Sequence, residues 1–294
     1  MRDVTPQTIT QAFMDYCGPD TDPRLKFLLA KLSDHLHDFV RETKLTHAEW
    51  RKTIEVLTAS GEITDDKRNE FILLSDVLGV SSLVDMVNSP EGATEASVLG
   101  PFHILGAPPL AYGGDLKAGN AGDYVVVSGQ VRDAEGAPIS GAELEIWQTA
   151  DNGLYSNIDP DQDDFNLRAR IKTGADGRYL LTTVRPAPYT VPDDGPVGEL
   201  LHATGRHPWR PSHLHFIVMG DGYRSLTTEL FPDDDPYIDE DAVFGVRTSL
   251  MTHYQRQDDL SKLPDGLAVA EKITAPFYTV DFDFNLVREN RAGT

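Results

Sequence analysis

The segment RPSHLHF carries two histidines, His213 and His215, separated by one residue. If HLHFIV is a strand, alternate side chains point to the same face, so both imidazoles project together while Leu214 and Phe216 point the other way. Two neutral imidazoles on one sheet face are a suitable pair of metal ligands. The pair alone does not decide between a metal site and two packed histidines.

Two tyrosines stand where further ligands could come from. Tyr155 lies in ADNGLYSNIDP, after a predicted strand and turn, and Tyr189 lies in RPAPYTVP, where prolines stiffen the backbone. Two phenolates and a hydroxide would balance the three charges of Fe(III), whereas zinc more usually takes cysteine, histidine or carboxylate. The four side chains therefore indicate a ferric ion, although each tyrosine could instead be a buried ring with a hydrogen-bonded hydroxyl.

The elements that would position these side chains begin with helices. Apolar residues recur with the helical period in TPQTITQAFMDYCG, DPRLKFLLAKLSDHLHDFVRET, THAEWRKTIEVLTASG and TDDKRNEFILLSDVLGVSSLVDMVNS. Thr46, followed three residues later by Glu49, predicts a capping box at the third helix. The fourth segment is expected to form one helix from Thr64 to Ser89.

From Tyr124 onward, short segments rich in β-branched and aromatic residues alternate with turn signals such as GADG and GDG. We therefore predict a mainly β fold with an α-helical N-terminal part. Residues 1–123 are expected to form a helical dimerisation and linker domain. Residues 124–294 are expected to form an antiparallel β-sandwich that carries the metal site. The segments that indicate its strands are YVVVSGQVRD, AELEIWQT, GRYLLTTV, HLHFIVMG and SLTTELF.

Composition restricts the partners and the compartment. The formal net charge of -21 argues against nucleic acid or an anionic membrane, because phosphate binding needs clustered cations. Cys17 is the single cysteine, so an internal disulfide or a thiolate cluster is excluded. The segment MRDVTPQTIT lacks the pattern of a signal peptide, which predicts a cytoplasmic protein. The acidic stretch PDDDPYIDEDA lacks the spacing of a calcium loop and is expected to be solvated.

The chain resembles the intradiol ring-cleaving dioxygenases over essentially its whole length. The segments that carry the resemblance follow the family's order and lie near its spacings: EIWQTADNGLYSNIDP, FNLRARIKTGADGRYLLTTVRPAPYTVP, GRHPWRPSHLHFIV and SLTTELF. The helical part with LGPFHILGAP resembles the catechol-type branch. The resemblance implies one Fe(III) per chain, with Tyr155 and His213 as equatorial ligands and Tyr189 and His215 as axial ones.

The resemblance also implies how these residues act. Tyr189 would leave the metal and take a proton from the bound diol, so that it serves as ligand and base in turn. Arg210 would lie beside the substrate and stabilise the negative charge that develops there. The ring would open with O2 between the two hydroxylated carbons. The substrate wall would consist of Leu73, Asp76, Val98, Leu99, Gly100, Pro101, Arg210 and Val243.

Asp76 bears on which diol is cleaved. Catechol enzymes of the family tend to have an apolar residue at this place, whereas a carboxylate could accept a hydrogen bond from a third ring hydroxyl. This favours hydroxyquinol (benzene-1,2,4-triol), which would give 3-hydroxy-cis,cis-muconate, a tautomer of maleylacetate, in aromatic catabolism. Alternatively, Asp76 ends a helix near Gly79 and the substrate is catechol or a chlorocatechol. An alternative of another class is a non-catalytic prealbumin-like binding module, suggested by SGQVRDAEGAPISGAELEIW.

Two features remain open at this stage. Glu229 stands where many relatives carry glutamine, and a second negative charge there would repel an anionic diol unless it is protonated or paired with Arg210. The N-terminal helices have broad apolar stripes, which need a partner surface. The resemblance accordingly implies a homodimer through these helices, with a lipid bound between the helices of the two chains.

Overall fold

The computed structural model describes residues 3–65 and 68–289. The chain forms two compact units that divide between Glu62 and Ile63. Among the described helices, five of the six α-helices precede residue 123, and the long strands all follow it. The predicted change from helix to strand is therefore confirmed, while the domain division at residue 123 stays a prediction. Residues 1 and 2 of the N-terminal pattern lie outside the described residues.

The first unit is built from three helices, and side chains cap the second and the third of them at their N-termini. Asp22 accepts a hydrogen bond from the backbone N–H of Leu25 at 2.8 Å. The predicted capping box is confirmed, because Glu49 Oε2 accepts from the N–H of Thr46 at 2.8 Å and Thr46 Oγ1 accepts from the N–H of Glu49 at 3.3 Å. Within the described ranges, no helix is both long and apolar enough to cross a membrane. The three helices of the first unit are α1 (Ile9–Asp15), α2 (Pro23–Thr43) and α3 (His47–Ile63).

The predicted fourth helix is wrong as a single element. It is two helices, α4 (Glu70–Val77) and α5 (Val80–Asn88). Gly79 lies between them with φ +73°, a left-handed conformation that stops a helix and that glycine adopts readily. Residues 66 and 67 of the predicted helix lie outside the described residues.

The strands form two six-stranded sheets and one two-stranded ribbon. They are β1 (Pro109–Leu110), β2 (Gly114–Asp115), β3 (Tyr124–Asp133), β4 (Glu143–Trp147), β5 (Arg168–Lys172), β6 (Arg178–Val184), β7 (Tyr189–Thr190), β8 (Trp209–Arg210), β9 (Leu214–Met219), β10 (Leu226–Pro232), β11 (Met251–Thr252), β12 (Gln255–Gln257), β13 (Phe277–Asp281) and β14 (Phe284–Leu286). The first sheet has the order β1-β5-β4-β9-β10-β11. The second has the order β12-β13-β3-β6-β2, with β14 also beside β3.

The pairing of the long strands is the predicted antiparallel one. β4 pairs antiparallel with β5 and β9, β9 with β10, and β3 with β6. The remaining strands add parallel pairs, among them β13 against β3, so each sheet is mixed. The β-rich fold class predicted from the sequence is confirmed, and the parallel additions come from short or late segments that carry weak patterns.

The two faces of β9 determine where the site lies. Leu214, Phe216 and Val218 are fully buried in the main apolar core, together with residues of the second sheet. His213 and His215 therefore lie on the opposite face of the first sheet, as the alternation predicts. The site is built on the outside of the sandwich and is covered there by loops and helices.

The ribbon of β7 and β8 lies apart from both sheets in the hydrogen-bonding order. Tyr189 is the direct partner of Arg210 in its register. Between the two strands the chain makes one short helix, α6 (Pro196–Ala203). Two residues separated by twenty others along the chain are thereby brought side by side.

Candidate metal centre and substrate cavity

The two histidines point their Nε2 atoms toward one another. The Nε2 of His213 lies 3.1 Å from the Nε2 of His215, and both side chains are buried. The Nδ1 of His213 donates to the carbonyl oxygen of Pro211 at 2.8 Å, which leaves a lone pair on its Nε2. The ring of His215 stacks on Trp147 with 6° between the planes and 4.6 Å between the centroids.

Tyr155 brings its hydroxyl to the same point. The turn after β4 is closed by Gly153 N–H donating to Ala150, and Tyr155 follows it directly. Its ring stacks on Phe102 at 4.7 Å, and its Oη lies 3.3 Å from the Nε2 of His213. The side chain has no exposed surface, so this oxygen is held in a dry environment.

Tyr189 completes the group from the ribbon. Its ring meets that of Tyr155 edge to face, with centroids 5.5 Å apart, and it lies 5.5 Å from the ring of His213. The Nη1 of Arg210 donates to the Oη of Tyr189 at 3.4 Å. The structure thus brings together all four side chains that the sequence singled out as possible ligands.

Burial sets the protonation of this group. It lowers the pKa of His213 to about 4, with Arg210 adding to the effect, and it lowers the pKa of His215 well below the usual value. Burial raises the pKa of Tyr155 well above 10 and also raises that of Tyr189, where Arg210 opposes the change. Neutral histidines with free lone pairs are ready ligands, and the phenols need a cation beside them in order to ionise.

The donor set fits a trivalent cation. The two Nε2 atoms face one another, and the Nδ1 of His215 lies 3.5 Å from Glu229 Oε1. His215 Nδ1 has no hydrogen-bond partner among the described residues. With a cation held by both Nε2 atoms, the ring proton of His215 would reside on this Nδ1 and face the carboxylate.

Glu229 belongs to this cluster but is already engaged. His213, His215 and Glu229 place ligand atoms within 4.8 Å of one another, so the three could hold a metal. However, the two oxygens of Glu229 accept from Arg210 at 2.9 and 3.2 Å. Burial alone would raise the pKa of Glu229, but Arg210 and His213 outweigh it and the pKa is lowered. Of the two alternatives that the sequence left open, protonation or pairing with Arg210, the structure shows the pairing.

Arg210 is held by a second carboxylate as well. Asp241 accepts from its Nε at 3.1 Å and from its Nη2 at 3.2 Å. Asp241 also accepts the backbone N–H groups of Val243 and Gly245, and thus ties the guanidinium to the loop beyond β10. The expectation that PDDDPYIDEDA is a solvated acidic loop is wrong for Asp235 and Asp241, which are buried. No sequence signal separates these two aspartates from their exposed neighbours.

A cavity of about 340 Å³ opens beside this group. Tyr189 and Arg210 form one side of it, and seven of the eight predicted wall residues line it: Leu73, Asp76, Val98, Gly100, Pro101, Arg210 and Val243. The eighth, Leu99, is not among the lining residues and is 45% exposed. Further apolar lining that the sequence reasoning missed comes from Ile72, Phe102, Leu154, Ile158 and Val191.

Among the described lining residues, Asp76 is the one carboxylate. It is buried near the end of α4, and burial raises its pKa, against the opposing effects of a hydrogen bond from Ser81 and of Arg210. A carboxylate has further lone pairs, so Asp76 can accept another hydrogen bond from a ligand in the cavity. A larger cavity of about 630 Å³ is lined by Arg206, His207 and Glu240, among others, but by none of the four candidate metal ligands. We therefore assign the chemistry to the smaller one.

Comparison with known proteins agrees with this geometry. A family model described as "Dioxygenase" matches residues 113–287, and one described as "Catechol dioxygenase N terminus" matches residues 22–95. The hydroxyquinol 1,2-dioxygenase of Rhizobium sp. (strain MTP-10005) is 45% identical over 274 residues, 91% of this chain and 90% of that protein. The 6-chlorohydroxyquinol 1,2-dioxygenase of Cupriavidus pinatubonensis is 44% identical, over 97% of this chain and 99% of that protein. The crystal structure of hydroxyquinol 1,2-dioxygenase from Pseudomonas putida DLL-E4 superposes with a TM-score of 0.89 at 44% identity, covering 97% and 99% of the two chains.

Proposed function

Since the chain belongs to the intradiol ring-cleavage dioxygenases, we propose that it opens hydroxyquinol between its two adjacent hydroxyl groups with O2. The observation that carries the choice of substrate is Asp76, a buried carboxylate on an otherwise largely apolar cavity wall. A triol offers this carboxylate a third hydroxyl beside the hydrogen bond from Ser81, and a plain catechol does not. Relatives of this chain that bear the name hydroxyquinol 1,2-dioxygenase support the same choice.

We assign one ferric ion per chain to Tyr155, Tyr189, His213 and His215. Two phenolates and one hydroxide would neutralise Fe(III), so the site could remain dry. Glu229 is not assigned as a ligand, because both of its oxygens accept from Arg210. When bound, the ferric ion would supply the Lewis acidity that makes an aromatic diol reactive toward O2.

The chain's own residues account for substrate binding and proton transfer. Tyr189 lines the cavity, so, once ionised beside a cation, it is placed to accept a proton from an entering diol hydroxyl. Arg210 Nη1 lies 3.4 Å from that oxygen and would orient it and stabilise its charge. The apolar wall excludes water, which strengthens these polar contacts.

The two carboxylates around Arg210 limit what this arginine can do. Glu229 and Asp241 both form ion pairs with its guanidinium, at 2.9 and 3.1 Å. Arg210 therefore acts through directed N–H groups more than as a free cation that attracts anions from a distance. This agrees with a small neutral substrate that loses its protons only after it has entered.

Steady-state kinetics test the proposed function. The iron-loaded protein should show a higher kcat/KM for hydroxyquinol than for catechol, and the product should be the ring-opened dicarboxylate from cleavage between the hydroxyls. Equal or faster turnover of catechol would refute the substrate assignment. A colourless, iron-free protein from iron-replete cells, with no turnover of either diol, would instead favour a binding module.

We also propose that the chain forms a homodimer through its N-terminal helices. The apolar stripe of α2 is exposed rather than packed, and it comprises Leu25, Leu28, Leu32, Leu36, Phe39 and Val40. An exposed apolar patch of this kind needs a partner surface. The same stripe of a second copy would supply it, with a lipid chain between the helices of the two chains. Sedimentation at micromolar concentration should show a species of about twice 32.4 kDa, and extraction should recover a lipid. A monomer would contradict the proposal.

A further inference from the structure

Glu229 faces His215 directly across two paired strands. The two residues are partners in the β9–β10 register, so their side chains lie on the same face. Glu229 is fully buried, and its Oε1 lies 3.5 Å from the Nδ1 of His215. The same Oε1 accepts from Arg210 Nη1 at 2.9 Å. One carboxylate oxygen thus lies between a metal-facing ring and the substrate-side guanidinium.

The stack on Trp147 fixes only part of the orientation of His215. It holds the plane of the ring, since the two planes are 6° apart. However, a half-turn of the ring leaves that plane unchanged and exchanges Nε2 for a carbon atom at the metal-facing position. Gly100 lies against the Cε1 and Nε2 edge of the ring and has no side chain, and His213 meets the ring at Nε2, 3.1 Å away. Neither neighbour contacts Nδ1, which Glu229 faces.

We propose that Glu229 is a positioning residue that selects the metal-facing orientation of His215 through the Nδ1–H and at the same time fixes Arg210. This inference rests on the proposed function, because it assumes that His215 binds iron. A ligating histidine commonly donates its other ring N–H to a carboxylate, which fixes the tautomer and makes the ligand more basic. The two oxygens of Glu229 serve both tasks.

Its surroundings hold the carboxylate in place. Ser97 Oγ lies 2.6 Å from Glu229 Oε2 and 2.8 Å from the carbonyl oxygen of Gly245, so its one hydroxyl proton is shared between two acceptors. Arg210 Nη2 donates to the same Oε2 at 3.2 Å. With Oε2 held by these contacts, Oε1 faces Arg210 Nη1 at 2.9 Å, His213 Nε2 at 3.4 Å and His215 Nδ1 at 3.5 Å. A glutamine at this position would be neutral and could present either its oxygen or its amide NH2 to the ring.

The position makes a specific spectroscopic prediction. A carboxylate that accepts from His215 makes the imidazole a stronger donor to iron, which stabilises the ferric state. Glu229→Gln should therefore move the reduction potential of the bound iron to a more positive value. It should also move the tyrosinate-to-iron charge-transfer band to longer wavelength, because a more electron-poor iron accepts charge from phenolate at lower energy.

The experiment compares Glu229→Gln and Glu229→Ala with Asp241→Asn in the iron-loaded full chain. Asp241→Asn removes the same charge from Arg210 but has no contact with the histidine, so it is the matched control. Iron affinity by chelator competition should fall about 10–100-fold in Glu229→Ala, and the band should shift in Glu229→Gln. Asp241→Asn should leave both nearly unchanged.

The outcomes separate this inference from the function on which it rests. An unshifted band in Glu229→Gln would overturn the positioning role, and so would an equal shift in Asp241→Asn, since the effect would then act through the charge of Arg210. Glu229→Gln is close in shape to the native residue, so the test does not depend on the fold of the alanine variant. If the wild-type chain itself lacked the band and the activity, the proposed function would fail first.

Discussion

The two faces of β9 use the same backbone for different purposes. One face presents Leu214, Phe216 and Val218 to the apolar core between the sheets. The other presents His213 and His215 to a buried cluster of polar and charged groups. On the core face, stability comes from area removed from water and is not specific to direction. On the site face, each buried polar atom needs a partner, so the geometry is specified atom by atom.

The comparison shows how such a site can be rigid without being the source of stability. Buried charges such as Arg210, Glu229 and Asp241 lose hydration, and their mutual attraction mainly offsets that loss. Packing on the apolar face fixes the backbone of β9, and that fixed backbone positions the polar side chains on the other face. Changes on one face should therefore alter stability, and changes on the other should alter metal and chemistry.

Tyr189→Phe should give the largest effect on the site face. It removes the oxygen that is placed to accept the diol proton, so kcat should fall about 10²–10⁴-fold, as for the loss of a general base. The phenyl ring keeps its packing against Tyr155, so the thermal midpoint of the iron-free chain should change little. The measurement is single-turnover cleavage together with the visible spectrum. A variant that kept both iron and oxygen uptake would refute the ligand assignment.

Phe216→Ala tests the core face. Emptying this fully buried position should lower the free energy of unfolding by about 3–5 kcal/mol. The iron-loaded protein that remains folded should keep its charge-transfer band, because the side chain points away from the site. Denaturant unfolding and the spectrum at low temperature measure the two properties. A displaced band would show that the faces are coupled through the strand.

Asp76→Ala extends the comparison to the cavity wall. Removing the acceptor should lower kcat/KM for hydroxyquinol about 5–150-fold, which corresponds to a loss of about 1–3 kcal/mol of transition-state stabilisation. Turnover of catechol should stay equal or become higher. Leu73→Val, an apolar change on the same wall, is the control and should affect both substrates alike. Equal losses on both diols for Asp76→Ala would assign this residue to the helix rather than to specificity.

Lowering the pH should reduce the free energy of unfolding of the iron-free chain, because its buried histidines resist protonation. The pKa of His213 is lowered from 6.5 to about 4 in the folded chain, so between those values the unfolded chain binds more protons. The stability that depends on neutral His213 is therefore complete above pH 6.5 and is lost as the pH falls toward 4. Unfolding of the iron-free chain at several pH values measures this slope. His213→Gln should flatten it, and an unchanged slope would contradict the assignment.

Local patterns in the sequence predicted much of this arrangement. β3 occupies the predicted segment YVVVSGQVRD, and Thr46 and Glu49 form the predicted cap, because such signals depend on near neighbours only. The alternation of His213 and His215 placed both on one face for the same reason. The resemblance to a family supplied the set of tyrosines and the wall, which spacing alone could not assemble.

The rest depended on contacts between distant segments. The break at Gly79 was missed because its apolar neighbours continue the helical pattern on both sides. Asp241 was taken for a solvated residue because nothing in an acidic run marks the member that turns inward to Arg210. The role of Trp147 depends on its register opposite His215 across two strands, which local periodicity does not contain.

The separate ribbon of β7 and β8 has a consequence for motion and for engineering. His213 and His215 lie on the six-stranded first sheet, whereas Tyr189 lies on a ribbon whose two strands are each two residues long. In the proposed function Tyr189 leaves the metal during each turnover, and so short a ribbon would let it move while the sheet stays still. The segment between the two strands supplies Val191 and Pro192 to the cavity wall, but it also buries Val197 and Leu201 of α6 in a core cluster with α4. Substitutions at Val191 or Pro192 should therefore retune the shape of the pocket while the histidines on the sheet stay in place.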